Sequence, residues 1–270
     1  MSEDIRIEHL ASHARAGETM LLRAFSRHPR VHVPLHVEQK DDPDSLRFAT
    51  EVQSLEMQNL HPGHWFARAK GLKAGQVILL KQGTWEPRKP FSGVVLVRNP
   101  TSFVQSMLEY NRREGLRWAL RDKTRYAKTM ERLVRWASAM SKGLVRELEA
   151  ARTTVDALCA FYVYRVSWLA SRGLPLIRYE DLVLQPESQL RRACEALKLD
   201  WSPALLQSHT AFQGREGHGM NDLTRPVDTG SLAKWNSLPR SVRGRIAALT
   251  GRTAAEVGYA VTDDVVDVQA

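Results

Sequence analysis

Two apolar runs, Val77-Ile78-Leu79-Leu80 and Val94-Val95-Leu96-Val97, limit what this chain can fold into more than any other feature. Each is four residues long, far short of the roughly 20 needed to span a bilayer. Neither alternates apolar with polar residues, as a strand with one wet face would. Short continuous runs of Val, Ile and Leu between turn residues are expected for strands buried on both faces, and such strands belong to parallel sheets covered by helices. The segment Ile5 to Leu10 predicts a third strand. It leads through the small turn Ser12-His13-Ala14-Arg15-Ala16-Gly17 into a helical pattern from Glu18 to His28, ended by Pro29. Strand, glycine-containing turn and helix make the first half of a βαβ unit.

Further along, Val31 to Leu35 reads as a short strand, Asp41 to Ser45 as a loop, and Ser45 to Leu60 as a helix. Pro100 opens a helix bearing Phe103, Val104, Met107 and Leu108 on one face. From Arg112 to Ala170 the chain is helix-compatible and free of proline. Leu174 to Ile177 predicts a last buried strand, Pro186 to Leu197 another helix, and Trp201 to Ala270 a mixture of loops and short helices. The expectation is one α/β domain over residues 1–270, a central parallel β-sheet flanked by helices, with a helical insertion at about 112–170.

Composition narrows the function classes. The 270 residues carry 39 Lys+Arg against 30 Asp+Glu, a net charge of +9, which favours an anionic partner without saying which. The two cysteines, Cys159 and Cys194, sit in helix-like patterns and read as buried thiols of a reducing compartment. The acidic start, Met1-Ser2-Glu3-Asp4, has no hydrophobic signal core, so the expected location is cytoplasmic, with no membrane partner. His61 and His64, three apart and without nearby Cys or carboxylates, read as a loop, and no metal is expected. Arg112 to Glu149 holds eleven basic and five acidic residues, consistent with a solvated helical face or with a cationic lid. Trp118, Tyr126 and Trp136 fit either core packing or an acceptor pocket.

Three segments carry chemistry. The turn from Arg15 to Thr19 would aim backbone N–H groups and a helix dipole at one point, which suits a phosphate. A second buried strand delivers Arg98 to the sheet's carboxyl edge, with Ser106 eight residues on, a sensible clamp for a monophosphate. The third, Arg178-Tyr179-Glu180-Asp181-Leu182, is another strand end. Three strand ends on one edge, two with phosphate-sized sites, imply a ligand with two separated phosphate groups.

These segments resemble the motifs of the sulfotransferase family. Ala14-Arg15-Ala16-Gly17-Glu18-Thr19-Met20-Leu21-Leu22 is similar to its phosphosulfate loop P-[RK]-[SA]-G-x-T-x-L. Leu96-Val97-Arg98-Asn99-Pro100 through Ser106 resembles its 3′-phosphate motif, and Arg178 through Pro186 its R-Y-E-D-L-x-x-x-P segment. Thr229-Gly230-Ser231 with Lys234-Trp235 is similar to the late loop that closes over the cofactor. Three departures stand out: Ala14 replaces the usual proline, Glu18 puts a carboxylate beside the anion site, and Lys81-Gln82-Gly83 keeps a lysine but lacks the histidine of the steroid- and phenol-type branch.

The resemblance implies a P-loop-like sulfotransferase fold and transfer of a sulfuryl group from 3′-phosphoadenosine 5′-phosphosulfate (PAPS) to an acceptor hydroxyl or amine, releasing 3′,5′-adenosine bisphosphate (PAP). It implies contacts to the donor from Arg15, Ala16, Gly17, Glu18, Thr19, Met20, Arg98, Ser106, Tyr179, Ser231, Lys234 and Trp235. Arg15 would serve the leaving oxygen and Lys81 the sulfuryl side, while Tyr179 would lie near the adenine. The base is Glu38 or His36, which follow the His28-Pro29-Arg30-Val31 end of the first helix. The acceptor is a small molecule, glycan or peptide, and no nucleic acid is expected. A catalytically impaired sulfotransferase-like protein and a nucleotide- or nucleic-acid-binding protein are the alternatives.

Overall fold

In the computed structural model the described residues are 5–34, 70–82, 86, 90–113, 127–210, 215–216, 221–222, 226–227, 229–263 and 266–268. The first strand, β1 (Arg6–Ser12), leads into α1 (Glu18–Phe25) and β2 (Val31–His32). After it come β3 (Val77–Gln82), β4 (Gly93–Val97) and α2 (Pro100–Arg113). The helices α3 (Ala127–Ser138), α4 (Lys142–Ala150) and α5 (Thr154–Ala170) precede β5 (Leu176–Arg178), α6 (Tyr179–Leu184) and α7 (Pro186–Ala196). Two short antiparallel pairs complete the strands, β6 (Arg215–Glu216) with β7 (Asn221–Asp222), and β8 (Tyr259–Val261) with β9 (Val266–Val268). The long helix α8 (Arg240–Glu256) lies between them.

The main sheet has the order β2-β3-β1-β4-β5, with every pairing parallel. Its strands are buried on both faces, as the continuous apolar runs predict. Val94 and Leu96 pack with α1 and α7, whereas Val95 and Val97 pack with α2, α5 and α8. Burying such a side chain contributes on the order of 1.5–3 kcal/mol, so the sheet is the scaffold on which the loops are carried. From β1 the chain crosses to the β2 side; from β4 it crosses to the β5 side. That reversal opens a crevice above the carboxyl ends of β1 and β4, where open α/β sheets bind ligands.

Several boundaries shift from the sequence reading. β1 extends two residues further, to Ser12, because its partner β4 continues to pair up to Leu96. α1 stops at Phe25, and Ser26 Oγ donates to Arg23 O at 2.8 Å in the turn that follows. The expected helix over residues 45–60, the 41–45 loop and His61 and His64 lie outside the described residues. The segment expected as an insertion includes α5, whose Leu158, Phe161, Tyr162 and Val166 are core, and Trp136 of α3 packs on Phe161 at 5.7 Å between ring centroids. Arg135, Lys142 and Arg146 are exposed, as a solvated face requires. The tail is not only loops and short helices: α8 runs 17 residues. Its buried positions are Ile246, Thr250, Thr253 and Ala254, a face too small and polar to register as a hydrophobic period. Cys159 and Cys194 are buried, and burial pushes their thiols up to about 12 and about 11. No helix among the described residues is long and apolar enough to cross a membrane.

Gly93 starts β4 at φ 146°, and an added Cβ would lie 2.6 Å from His9 N and closer still to His9 O. Replacement by alanine should cost more than about 3 kcal/mol, through both φ strain and backbone collision. Gly173→Ala, at φ 65° with nothing within 4 Å, should cost only about 1 kcal/mol. Urea denaturation of the two variants tests this; equal losses would refute the close approach of β4 to β1.

Candidate functional site

The turn after β1 is built for close approach. Arg15 adopts φ 63° and Gly17 φ 103°, both left-handed. Gly17 is the N-cap of α1 and no side chain caps the helix, so its first-turn N–H groups at Glu18 and Thr19 have no acceptor from a preceding turn. Only glycine suits position 17, because an added Cβ would overlap the Tyr179 ring. Ala16 is fully buried and Thr19 and Met20 are half-buried in this turn.

Directly opposite, β4 delivers Arg98. Its neighbour Asn99 caps α2: Asn99 Oδ1 accepts from Ser102 N at 2.7 Å, and Pro100 takes the first helical position, where it has no N–H to lose. The backbone of Arg98 is held on both sides. Its N–H donates to His13 Nε2 at 2.9 Å, and its carbonyl accepts from Tyr162 Oη at 3.0 Å. Because Nε2 accepts, the His13 proton sits on Nδ1, which donates to Ala14 O at 2.9 Å.

The Arg98 guanidinium stacks on the Tyr179 ring, 4.3 Å from its centroid. Arg98 Nη1 donates to Arg15 O at 3.4 Å and Nη2 to Ser231 O at 3.2 Å, while Tyr179 Oη and Ser231 Oγ share a hydrogen bond of 2.8 Å. Arg98 Nε is buried and has no hydrogen-bond partner among the described residues. Arg15 Nε donates to Ser106 Oγ at 3.0 Å. Thus Arg15, Gly17, Arg98, Ser106, Tyr179 and Ser231, drawn from four separated segments, meet at the β1/β4 crevice. Arg15 and Arg98 face one crevice, and the bonds from Arg15 Nε to Ser106 Oγ and from Arg98 Nη1 to Arg15 O join the two segments.

Glu18 does not face that crevice. Its carboxylate is 8% exposed, accepts from Ser12 Oγ, and lies 3.3 Å from Lys81 Nζ. Lys81 therefore neutralises the carboxylate that the sequence placed beside an anion site. Below them Arg165, on α5, is fully buried and donates to Ser12 O at 2.9 Å and Gln82 O at 3.0 Å, tying the ends of β1 and β3. Trp235 stacks against Arg243, at 5.6 Å, rather than on the site, and the turn Lys234–Ser237 packs against α2. His36 and Glu38 lie outside the described residues. Among those residues, no group of three His, Cys, Asp or Glu side chains is arranged to hold a metal ion.

Sequence reasoning assigned no role to His13, Tyr162, Glu180 or Tyr259, which surround Arg98. Only Glu180 carried a signal, through its place in the R-Y-E-D-L segment.

No known family profile matches the sequence, and no curated protein matches it either. Solved structures do. The sulfotransferase domain from the curacin biosynthetic pathway superposes with TM-score 0.52 at 17% identity, covering 93% of this chain and 98% of that one. A sulfotransferase from Alicyclobacillus acidocaldarius superposes with TM-score 0.51 at 12% identity, covering 93% of each chain. The chain has the sulfotransferase fold, with its central parallel five-stranded sheet flanked by helices.

Burial lowers the pKa of both His9 and His13 from 6.5 to about 4. Each is therefore neutral in the folded state near pH 5, where an unfolded histidine is charged. As pH falls below 6.5 the unfolded chain takes up protons first, so stability declines from there to about pH 4 and is insensitive to these groups above 6.5. Each contributes up to about 3 kcal/mol of that loss. The His13→Gln variant should flatten the fall in unfolding free energy across this window; an unchanged slope would refute a neutral His13.

Proposed function

We propose that this protein is a sulfotransferase that uses PAPS as donor and transfers its sulfuryl group to a hydroxyl or amine of a small-molecule, glycan or peptide acceptor. The observation that carries the reading is the convergence of Arg15, Arg98 and Ser106 on an uncapped helix N-terminus at the carboxyl edge of a parallel sheet. A cationic cluster there suits a nucleotide with phosphates at both ends. The buried Arg98 Nε, without an acceptor among the described residues, supports it further, since an anion would supply one.

In this reading Arg98 and Ser106 hold the 3′-phosphate, the group that separates PAPS from other adenine nucleotides. Tyr179, stacked on Arg98, borders the adenine, and Ser231, bonded to Arg98 and Tyr179, covers the nucleotide. The Glu18 and Thr19 N–H groups face the 5′-phosphosulfate, with Arg15 between the two ends and Lys81 on the sulfuryl side. Transfer breaks the bond from sulfur to the bridging phosphate oxygen and forms one from sulfur to the acceptor oxygen or nitrogen. The electron pair stays on the phosphate of PAP. Charge develops on that bridging oxygen, so fixed N–H groups and cations there lower the barrier. The acceptor proton passes to Glu38 or His36. The pairing of the Glu18 carboxylate with Ser12 and Lys81 also supports the reading, since it leaves no uncompensated negative charge beside the anion site.

Arg98→Ala should weaken PAP binding by about 100-fold, measured by titration calorimetry without magnesium, since charge-assisted contacts to phosphate are at stake. Wild-type protein that binds ATP with magnesium but not PAP would overturn the reading. Glu38→Ala should retain PAP affinity and lose transfer of labelled sulfate from PAPS; loss in His36→Ala alone would move the base to His36.

A further inference from the structure

Arg98 can recognise a phosphate only if its guanidinium is presented at a fixed height above the sheet, and the fixing lies outside the crevice. On one side Tyr162, from the core of α5, donates to Arg98 O at 3.0 Å. On the other, Asn99 is gripped by Glu180, whose Oε1 accepts from Asn99 Nδ2 at 2.5 Å and from Asn99 N at 3.4 Å. Glu180 is 6% exposed, so its orientation matters, and Tyr259 sets it: Tyr259 Oη lies 2.6 Å from Glu180 Oε2. The same hydroxyl stands 3.4 Å from Val97 O, and its single proton belongs to the nearer, charged acceptor.

Tyr259 begins β8, which docks onto the strand ends through a second contact, Arg178 Nη1 donating to Gly258 O at 2.6 Å. Gly258, at φ 82°, leaves room for that guanidinium, since an added Cβ would come within 2.6 Å of Nη1. Both tyrosines are fully buried, and burial beside the Glu180 charge raises both phenols well above 10, so each remains a donor.

We propose that Tyr162 and Tyr259 are positioning residues for 3′-phosphate recognition, Tyr162 acting on the carbonyl of Arg98 and Tyr259 acting through Glu180 and Asn99. The inference rests on the PAPS reading of the site and adds which buried hydroxyls set its selectivity. The carboxyl-terminal hairpin is thereby part of the nucleotide site without bordering it. Among the described residues neither hydroxyl bonds to the Arg15–Thr19 turn that the PAPS reading assigns to the 5′ end, so their removal should be felt by the 3′ end of the ligand only.

The test is the ratio of affinities for PAP and 5′-AMP, which differ by the 3′-phosphate, measured by calorimetry on the full chain. Tyr259→Phe keeps the ring and removes only the hydroxyl. It should weaken PAP about tenfold and leave 5′-AMP within about twofold, as the loss of a bond to a charged group predicts. Tyr162→Phe should give the same selective loss from an independent element, and it carries the test if Tyr259→Phe does not fold. The ratio is insensitive to the fraction of folded protein. Equal losses for both ligands, or none for either, would overturn the positioning role. If wild-type protein binds neither ligand, or binds both equally, the PAPS reading itself fails, a result distinct from the other outcomes.

Discussion

The parallel pairing of β1 with β4 decides which residues can meet above the sheet. Its register sets Ser12 opposite Leu96, so the next residues to leave the two strands are His13 on one side and Val97 and Arg98 on the other. Their separation is that of neighbouring strands, about 4.8 Å, which lets His13 Nε2 accept the Arg98 N–H. The pairing begins where Gly93 lies against His9, a contact no side chain could share. A slip of one residue would send Arg98 to the other face of the pleat and leave His13, buried and neutral, without its donor. The crevice is therefore a consequence of register, and the helices on either face serve to hold that register.

Charges below the crevice follow from the same edge. Parallel strands end with carbonyls that have no further ladder partner, and two of them, Ser12 O and Gln82 O, are buried. Arg165 satisfies both with one planar guanidinium, stacks 4.4 Å over Trp168, and faces Glu86 at 3.7 Å. Burial lowers its pKa to about 10, which still leaves it charged at neutral pH. Breaking such a group by removing its partners costs several kcal/mol, because an uncompensated buried cation remains. Glu18 belongs to this buried set by way of Ser12, and its carboxylate is balanced by Lys81. A residue that in sequence opposes anion binding is, in three dimensions, part of the support beneath the loop.

Much of this was legible in the sequence, and the rest was hidden for identifiable reasons. Continuous Val, Ile and Leu runs pointed to doubly buried strands, because they are short, rich in β-branched residues and bounded by turns. Arg15, Gly17, Arg98, Ser106, Tyr179 and Ser231 were readable because motif spacing along the chain carries them to one edge. Side-chain pairing across about 80 positions leaves no such trace. The bonds from Asn99 to Glu180 and from Tyr259 to Glu180 span 81 and 79 residues. The helix α8 escaped because Thr250 turns its hydroxyl back to Ile246 O at 2.7 Å and so is buried without being apolar.

On the PAPS proposal, the affinity of the crevice for a phosphate would be a difference, not a sum of contacts. Arg98 Nη1 and Nη2 already donate to two carbonyls, Arg15 O and Ser231 O, and the guanidinium stacks on Tyr179, so at these two nitrogens an arriving anion would replace acceptors. The exchange would favour phosphate because donor and acceptor would then both be charged, whereas the carbonyls that Arg98 meets now are neutral acceptors. The Arg98 contacts at 3.2 and 3.4 Å are long for charge-assisted bonds, so little is lost when they break. Releasing Ser231 O also frees the 229–231 turn, which stays tethered to Tyr179 by its hydroxyl and can settle over the ligand. The carbonyls thus keep the guanidinium extended, and on the PAPS proposal the site would give up little order when the stronger acceptor arrived.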